Sequence, residues 1–157
     1  MPLFANAAAL IRTNFERIRG GDRAPLISIG ALTQEQLDAL NRRRRAQDLA
    51  PMTAEVVFIG RHIYESRVVR DGYSIDEVIE QISSAMDSRA TVLETTKMTA
   101  MENPQARNDR YGNEVKDRAI FECSARHPRP ELFSVVPKGD FVKPKTKKGP
   151  SPSGDSP

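Results

Sequence analysis

Asp109–Asp140, DRYGNEVKDRAIFECSARHPRPELFSVVPKGD, is the stretch whose reading decides the fold. Within it, Asn113–Ala125 (NEVKDRAIFECSA) and Glu131–Val136 (ELFSVV) are apolar, β-branched and aromatic runs, which predicts two strands. Gly112-Asn113 and His127-Pro128-Arg129-Pro130 supply turns, and Pro137 is expected to end the second strand. Just upstream, Ala90–Ala100 (ATVLETTKMTA) is rich in threonine and valine and predicts another strand. Short connections make such neighbours antiparallel.

Side chains alternate along a strand, so the first run sorts into two faces. Ala119, Phe121, Cys123 and Ala125 should pack under helices, while Arg118, Ile120, Glu122, Ser124 and Arg126 face the other way. On the next strand Leu132, Ser134 and Val136 share a side, with Lys138 following in phase. A face carrying Arg118, Glu122 and Arg126 in line suits either cross-strand ion pairs in water or contact with a substrate.

Working outward, Ser74 and Glu77 form a capping box, and Ile75, Val78, Ile79, Ile82 and Met86 share one face of the helix that follows. Ala54–Arg70 (AEVVFIGRHIYESRVVR) is locally strand-like at VVFI, but the Val56, Ile59, Ile63 spacing and a cap at Thr53 favour a helix ended by Asp71-Gly72. Nearer the N-terminus, Leu3, Ala7, Leu10, Ile11, Asn14, Phe15 and Ile18 predict a helix stopped by Gly20-Gly21. A linker with Pro25 follows, then a helix capped by Thr33 and Gln36 that ends in Arg42, Arg43, Arg44 and Arg45. Those four cations either complement the helix dipole or contact nucleic acid. Beyond Asp140 the lysine, proline, serine and glycine of FVKPKTKKGPSPSGDSP cannot form a core.

The expected fold is therefore α+β: N-terminal helices packed on a small antiparallel sheet of three to four strands, with a disordered basic tail. The expected divisions are a helical extension over 1–50, an α+β domain over 51–140 and a tail over 141–157.

The totals bound the function. With 157 residues there is room for one domain with a real core, and a mean hydropathy of −0.53 implies polar extensions around it. A net charge of +3 permits a polyanionic partner without requiring one. The single cysteine, Cys123, excludes an intramolecular disulfide and a four-thiolate zinc site, and points to a reducing, cytoplasmic setting. No run approaches about 18 apolar residues, so no membrane contact is expected.

Both histidines lie in the Gly60–Asp140 block. On a helix, His62 and Ser66 stand one turn apart with Arg67 beside them. Together with Glu122, His127 and Lys138 they supply the parts that metal-free RNA cleavage needs. One group takes the 2′-hydroxyl proton, another protonates the departing 5′-oxygen, and fixed cations stabilise the crowded phosphorane. Arg67, Arg110, Arg118, Arg126 and Lys138 are candidate cations, and Ser134 can join them on the polar sheet face. In the loop Met101–Asn113, Tyr111 beside Arg110 suits stacking on an unpaired base. No HxH, HExxH or clustered-carboxylate pattern is present, so neither a metal nor another cofactor is expected.

GRHIYESR, DGYSIDEVIEQI, DRYGNEVKDRAIFE and RPELFSVVPKGD resemble the phage- and prophage-associated members of the barnase/EndoU/RelE-like nuclease superfamily. The resemblance covers roughly 55–140. It implies N-terminal helices with a curved antiparallel sheet and a metal-independent, toxin-like endoribonuclease of a bacterial host cytoplasm. Its site would fall at His62, Ser66 and Arg67 on the helix and at Arg118, Glu122, Ser134 and Lys138 on the sheet, with His127 at a strand end. RNA or another nucleic acid is the implied partner, with an inhibitor or a phage component as the protein such enzymes can meet. The chain departs from the ribosome-dependent members in lacking their dense basic active face. Two other readings stay open: a non-catalytic nucleic-acid-binding phage accessory that uses the Arg42–Arg45 cluster, and a phage assembly or host-interaction protein.

Overall fold

A computed structural model describes residues 3–94, 98–123 and 128–139. The expected disorder of the tail falls outside the described residues. Helices α1 (Ala7–Arg19), α2 (Gln34–Ala46) and α4 (Ile75–Ala85) accompany a short α3 (Arg61–Ile63), which runs directly into a π-helical segment (Tyr64–Arg70). The strands are β1 (Ile27–Ala31), β2 (Glu55–Phe58), β3 (Thr91–Val92), β4 (Thr99–Glu102), β5 (Arg107–Asn108), β6 (Glu114–Glu122) and β7 (Glu131–Lys138).

The expected sheet of three to four antiparallel strands is overturned. Seven strands are present among the described residues, in the order β1-β2-β7-β6-β4-β3 with β5 pairing β6, and they curl into a half-barrel. The sheet is mixed, because β2 runs parallel to β7 through Val57 opposite Glu131. Two extra strands come from segments read otherwise. The linker after Pro25 contains β1, which pairs antiparallel with β2. The helix expected over 54–70 begins only at Arg61, after β2.

Gly60 is the physical reason for that second difference. It adopts φ +96°, a left-handed conformation that ends the strand and starts α3. A Cβ there would stand 2.6 Å from the Phe58 ring. Phe58 itself is fully buried and packs edge-on against Phe15 at 5.7 Å. Gly60→Ala is therefore expected to lower stability by about 2–4 kcal/mol through backbone strain plus overpacking. Urea unfolding measures this, and a loss under about 0.5 kcal/mol would show that the turn relaxes freely.

Further differences are local. The expected strand over 90–100 is two strands, β3 and β4, paired antiparallel. β7 continues through Pro137 to Lys138. The long loop carries β5, whose Arg107 sits opposite Val115 of β6.

The elements that carried clear signals form as their chemistry dictates. Both capping boxes are made: Thr33 with Gln36, and Ser74 with Glu77. α4 buries Ile75, Val78, Ile79, Ile82 and Ala85 and packs across β6 and β7. Val115, Asp117, Ala119 and Phe121 of β6 are buried, while Glu114, Lys116 and Glu122 between them are exposed. Residues of α1 join this core, since Ile11, Phe15 and Ile18 pack with Phe58, Tyr64 and Val135. Asn14, buried on α1, donates to the carbonyls of Pro25 and Ile59 and so fixes the chain entering β1 and leaving β2.

Candidate active site

One cavity of about 450 Å³ gathers side chains from five elements. α2 and the turn after it supply Arg44, Gln47 and Leu49; α3 supplies His62; β4 and its approach supply Met98 and Thr99. Ile120, Phe121, Glu122 and Cys123 come from the end of β6, and Phe133 and Ser134 from β7.

A β-bulge shapes this site. Ser134 is opposite Ile120 but Leu132 is opposite Phe121, so Phe133 is an extra residue on β7. The bulge breaks the expected side-sharing of Leu132 and Ser134. Leu132 and Val135 turn into the core, and Phe133 and Ser134 both line the cavity. The imidazole of His62 then stacks on the Phe133 ring, 4.4 Å between centroids and 11° from parallel. That contact holds an otherwise exposed histidine in one place at the cavity wall.

Arg44 is the unusual cation. Its neighbours Arg42 and Arg45 are exposed and Arg43 is half-buried, but Arg44 is only 8% exposed. Its Nε donates to the carbonyl of Ala50 at 2.6 Å and its Nη1 to Thr99 Oγ1 at 3.4 Å. Among the described residues it has no carboxylate partner. A guanidinium taken out of water and bonded only to neutral oxygens leaves its charge uncompensated, which favours an anion at the cavity it lines. The Cys123 thiol in the same wall is pushed up by burial, which outweighs the opposite pull of Arg44.

The other expected site residues go elsewhere. Ser66 is buried, with Oγ 3.5 Å from His62 Nε2, too long for more than a weak contact. Arg67 is buried against Asp71 at 2.8 Å, and burial lowers its pKa. Neither lines the cavity. Arg110 holds Glu77 of α4 and the Gly72 carbonyl and lies over the rings of Tyr73 and Tyr111. Its hydrogen bonds keep the Glu77 carboxyl below the ordinary carboxylate range. Tyr111 is exposed at the tip of that loop. Arg118 pairs with Glu102 at 3.1 Å. Lys138 lines a different hollow, with Lys116, Glu102 and Glu114. Arg126 and His127 lie outside the described residues.

His62, Glu122 and Ser134 are thus brought together as chemistry-bearing groups, and Arg44 joins them from a cluster in which it had not been distinguished. A signal for Arg44 was present. Gln36, Leu40 and Arg44 fall at four-residue steps and share the buried stripe of α2. Phe133 had no such signal, because its position depends on the bulge. No group of three or more His, Cys, Asp or Glu side chains suited to a metal forms among the described residues. No helix among them is long and apolar enough to cross a membrane. Compared with family models, with curated proteins and with solved structures, the chain finds no match in any of the three.

Proposed function

We propose that the chain is an endoribonuclease that cleaves RNA by attack of the internal 2′-hydroxyl, with the cavity between α2, α3, β6 and β7 as its active site. One observation carries the reading: an imidazole, a carboxylate, a hydroxyl and a buried guanidinium with no ion-pair partner among the described residues, from four separate elements, line the same cavity. Its resemblance to barnase/EndoU/RelE-like nucleases of phage origin agrees with that inventory.

In this scheme the exposed Glu122 carboxylate takes the 2′-OH proton. The 2′-oxygen bonds to phosphorus, the bond to the 5′-oxygen breaks, and His62 in its imidazolium form gives that oxygen its proton. The products are a 2′,3′-cyclic phosphate and a 5′-hydroxyl. Histidine changes charge nearest neutrality, which suits the donor role. Arg44 and the Ser134 hydroxyl face the phosphoryl oxygens, where negative charge grows toward the phosphorane. Ile120, Phe133 and Leu49 give the cavity apolar walls against which an unpaired base can lie.

The test uses end-labelled RNA and DNA of one sequence, with and without EDTA. Expected are RNA cut to 2′,3′-cyclic phosphate ends, DNA left whole, no effect of EDTA, and a loss of about 100-fold for Glu122→Gln. Cleavage of DNA, or cleavage abolished by EDTA, would overturn this mechanism. RNA bound but never cut would favour the non-catalytic accessory instead.

A further inference from the structure

Lys138, removed from the reacting centre by the fold, faces Lys116 directly across the β6–β7 ladder. Like charges placed opposite one another on a sheet destabilise it. Both lysines are exposed, and among the described residues neither has an ion-pair partner. They line a hollow of about 520 Å³ together with Glu102 and Glu114. Glu102 is engaged by Arg118, which leaves two cations against the one carboxylate of Glu114.

The lysine pair and the His62 cavity share a sheet face. Lys116, Arg118, Ile120 and Glu122 alternate along β6 on the side away from α4, and the bulge does not interrupt β6. Ser134 stands opposite Ile120 and Lys138 opposite Lys116. Four residues separate the two levels, about 13 Å at the usual strand rise. Arg118 and Val136 lie between them on the same face.

We infer that Lys116 and Lys138 form a remote phosphate subsite for the strand cleaved at His62, so that the preferred substrate is a single-stranded RNA extending along β6 and β7. This rests on the nuclease reading above. A separation of about 13 Å corresponds to at most about four nucleotides at the stacked rise of about 3.4 Å, and fewer in an extended strand. A dinucleotide fills the His62 cavity without reaching the lysines; a hexanucleotide reaches both.

The experiment compares cleavage of a dinucleotide and a hexanucleotide by the parent chain, by Lys116→Ala/Lys138→Ala and by Lys116→Arg/Lys138→Arg. Binding of an uncleavable 2′-O-methyl hexanucleotide is followed against salt. The double alanine variant is expected to lose about tenfold in kcat/KM on the hexanucleotide, chiefly through KM, and nothing on the dinucleotide. Its salt dependence should fall by about 0.7 in slope for each phosphate contact removed. The double arginine variant should behave like the parent. Equal losses on both lengths, or an unchanged hexanucleotide with an unchanged salt slope, overturn the subsite while leaving the nuclease intact. A parent chain inert toward RNA of every length removes the nuclease reading, and the subsite with it.

Discussion

His62→Ala is expected to cleave RNA about 100-fold or more slowly than the parent protein, with little change in stability. The ring is exposed and its packing is chiefly the stack on Phe133. Losing one such aromatic contact costs about 0.5–1.5 kcal/mol, so the protein remains folded at 25 °C and the rate effect can be read directly. The pattern among neighbours sharpens the expectation. Ser66→Ala removes a group whose Oγ is 3.5 Å from the imidazole and which does not line the cavity, and it should cost only a few-fold. His62→Gln keeps a polar side chain of similar reach but no titratable proton, and it should be as slow as the alanine variant. If His62→Gln retained most of the parent rate while Glu122→Gln lost it, proton donation would have to be reassigned to another group.

Arg107→Met is expected to cost about 3–5 kcal/mol of folding stability, the largest effect of any substitution considered away from the cavity. Asp117, in the middle of β6, is fully buried at 0% exposure. Its carboxylate is held by Arg107 through Nε at 2.6 Å and Nη2 at 2.9 Å. Asn103 adds a backbone bond to the Asp117 carbonyl and a side-chain bond to Ser84 of α4, which anchors the same corner. Removing the guanidinium strands a charge in the core between the sheet and α4, whereas removing both charges does not. Arg107→Met/Asp117→Leu should therefore recover most of the loss. Urea denaturation of the three proteins decides it: a single variant within about 1 kcal/mol of the parent would mean that water reaches Asp117 and the pair contributes little.

What the chain disclosed before its structure was known follows from how local each signal is. Ser74 and Glu77 specify their cap within four residues, and α4 begins where they place it. The period-two pattern of β6 needs no information from elsewhere, and its Val115, Asp117, Ala119 and Phe121 face is buried. By contrast, Ile27–Ala31 is a five-residue strand with a bulge between Ser28 and Gly30, too short and irregular for its period to stand out. Val56 and Phe58 fit a strand, but Ile59 and Ile63 extend the apolar spacing past them. Only the backbone of Gly60 breaks the helix that this spacing suggests. Counting even steps along β7 puts Lys138 on the face of Ser134, and the register keeps it there, but distance along the strand carries it to a different hollow from His62. Arg67 and Arg110 carry a charge that suits phosphate, yet each is taken up by a carboxylate, Asp71 and Glu77, that sequence spacing alone did not assign to it.

The side-by-side alignment of β2 with β7 also fixes the order in which the molecule can be completed. During synthesis the β1–β2 pair emerges from the ribosome with one rim bare, and β7, which covers it, is made after every other described strand. The imidazole of His62 waits for it too, because its aromatic seat, Phe133, arrives on that same strand.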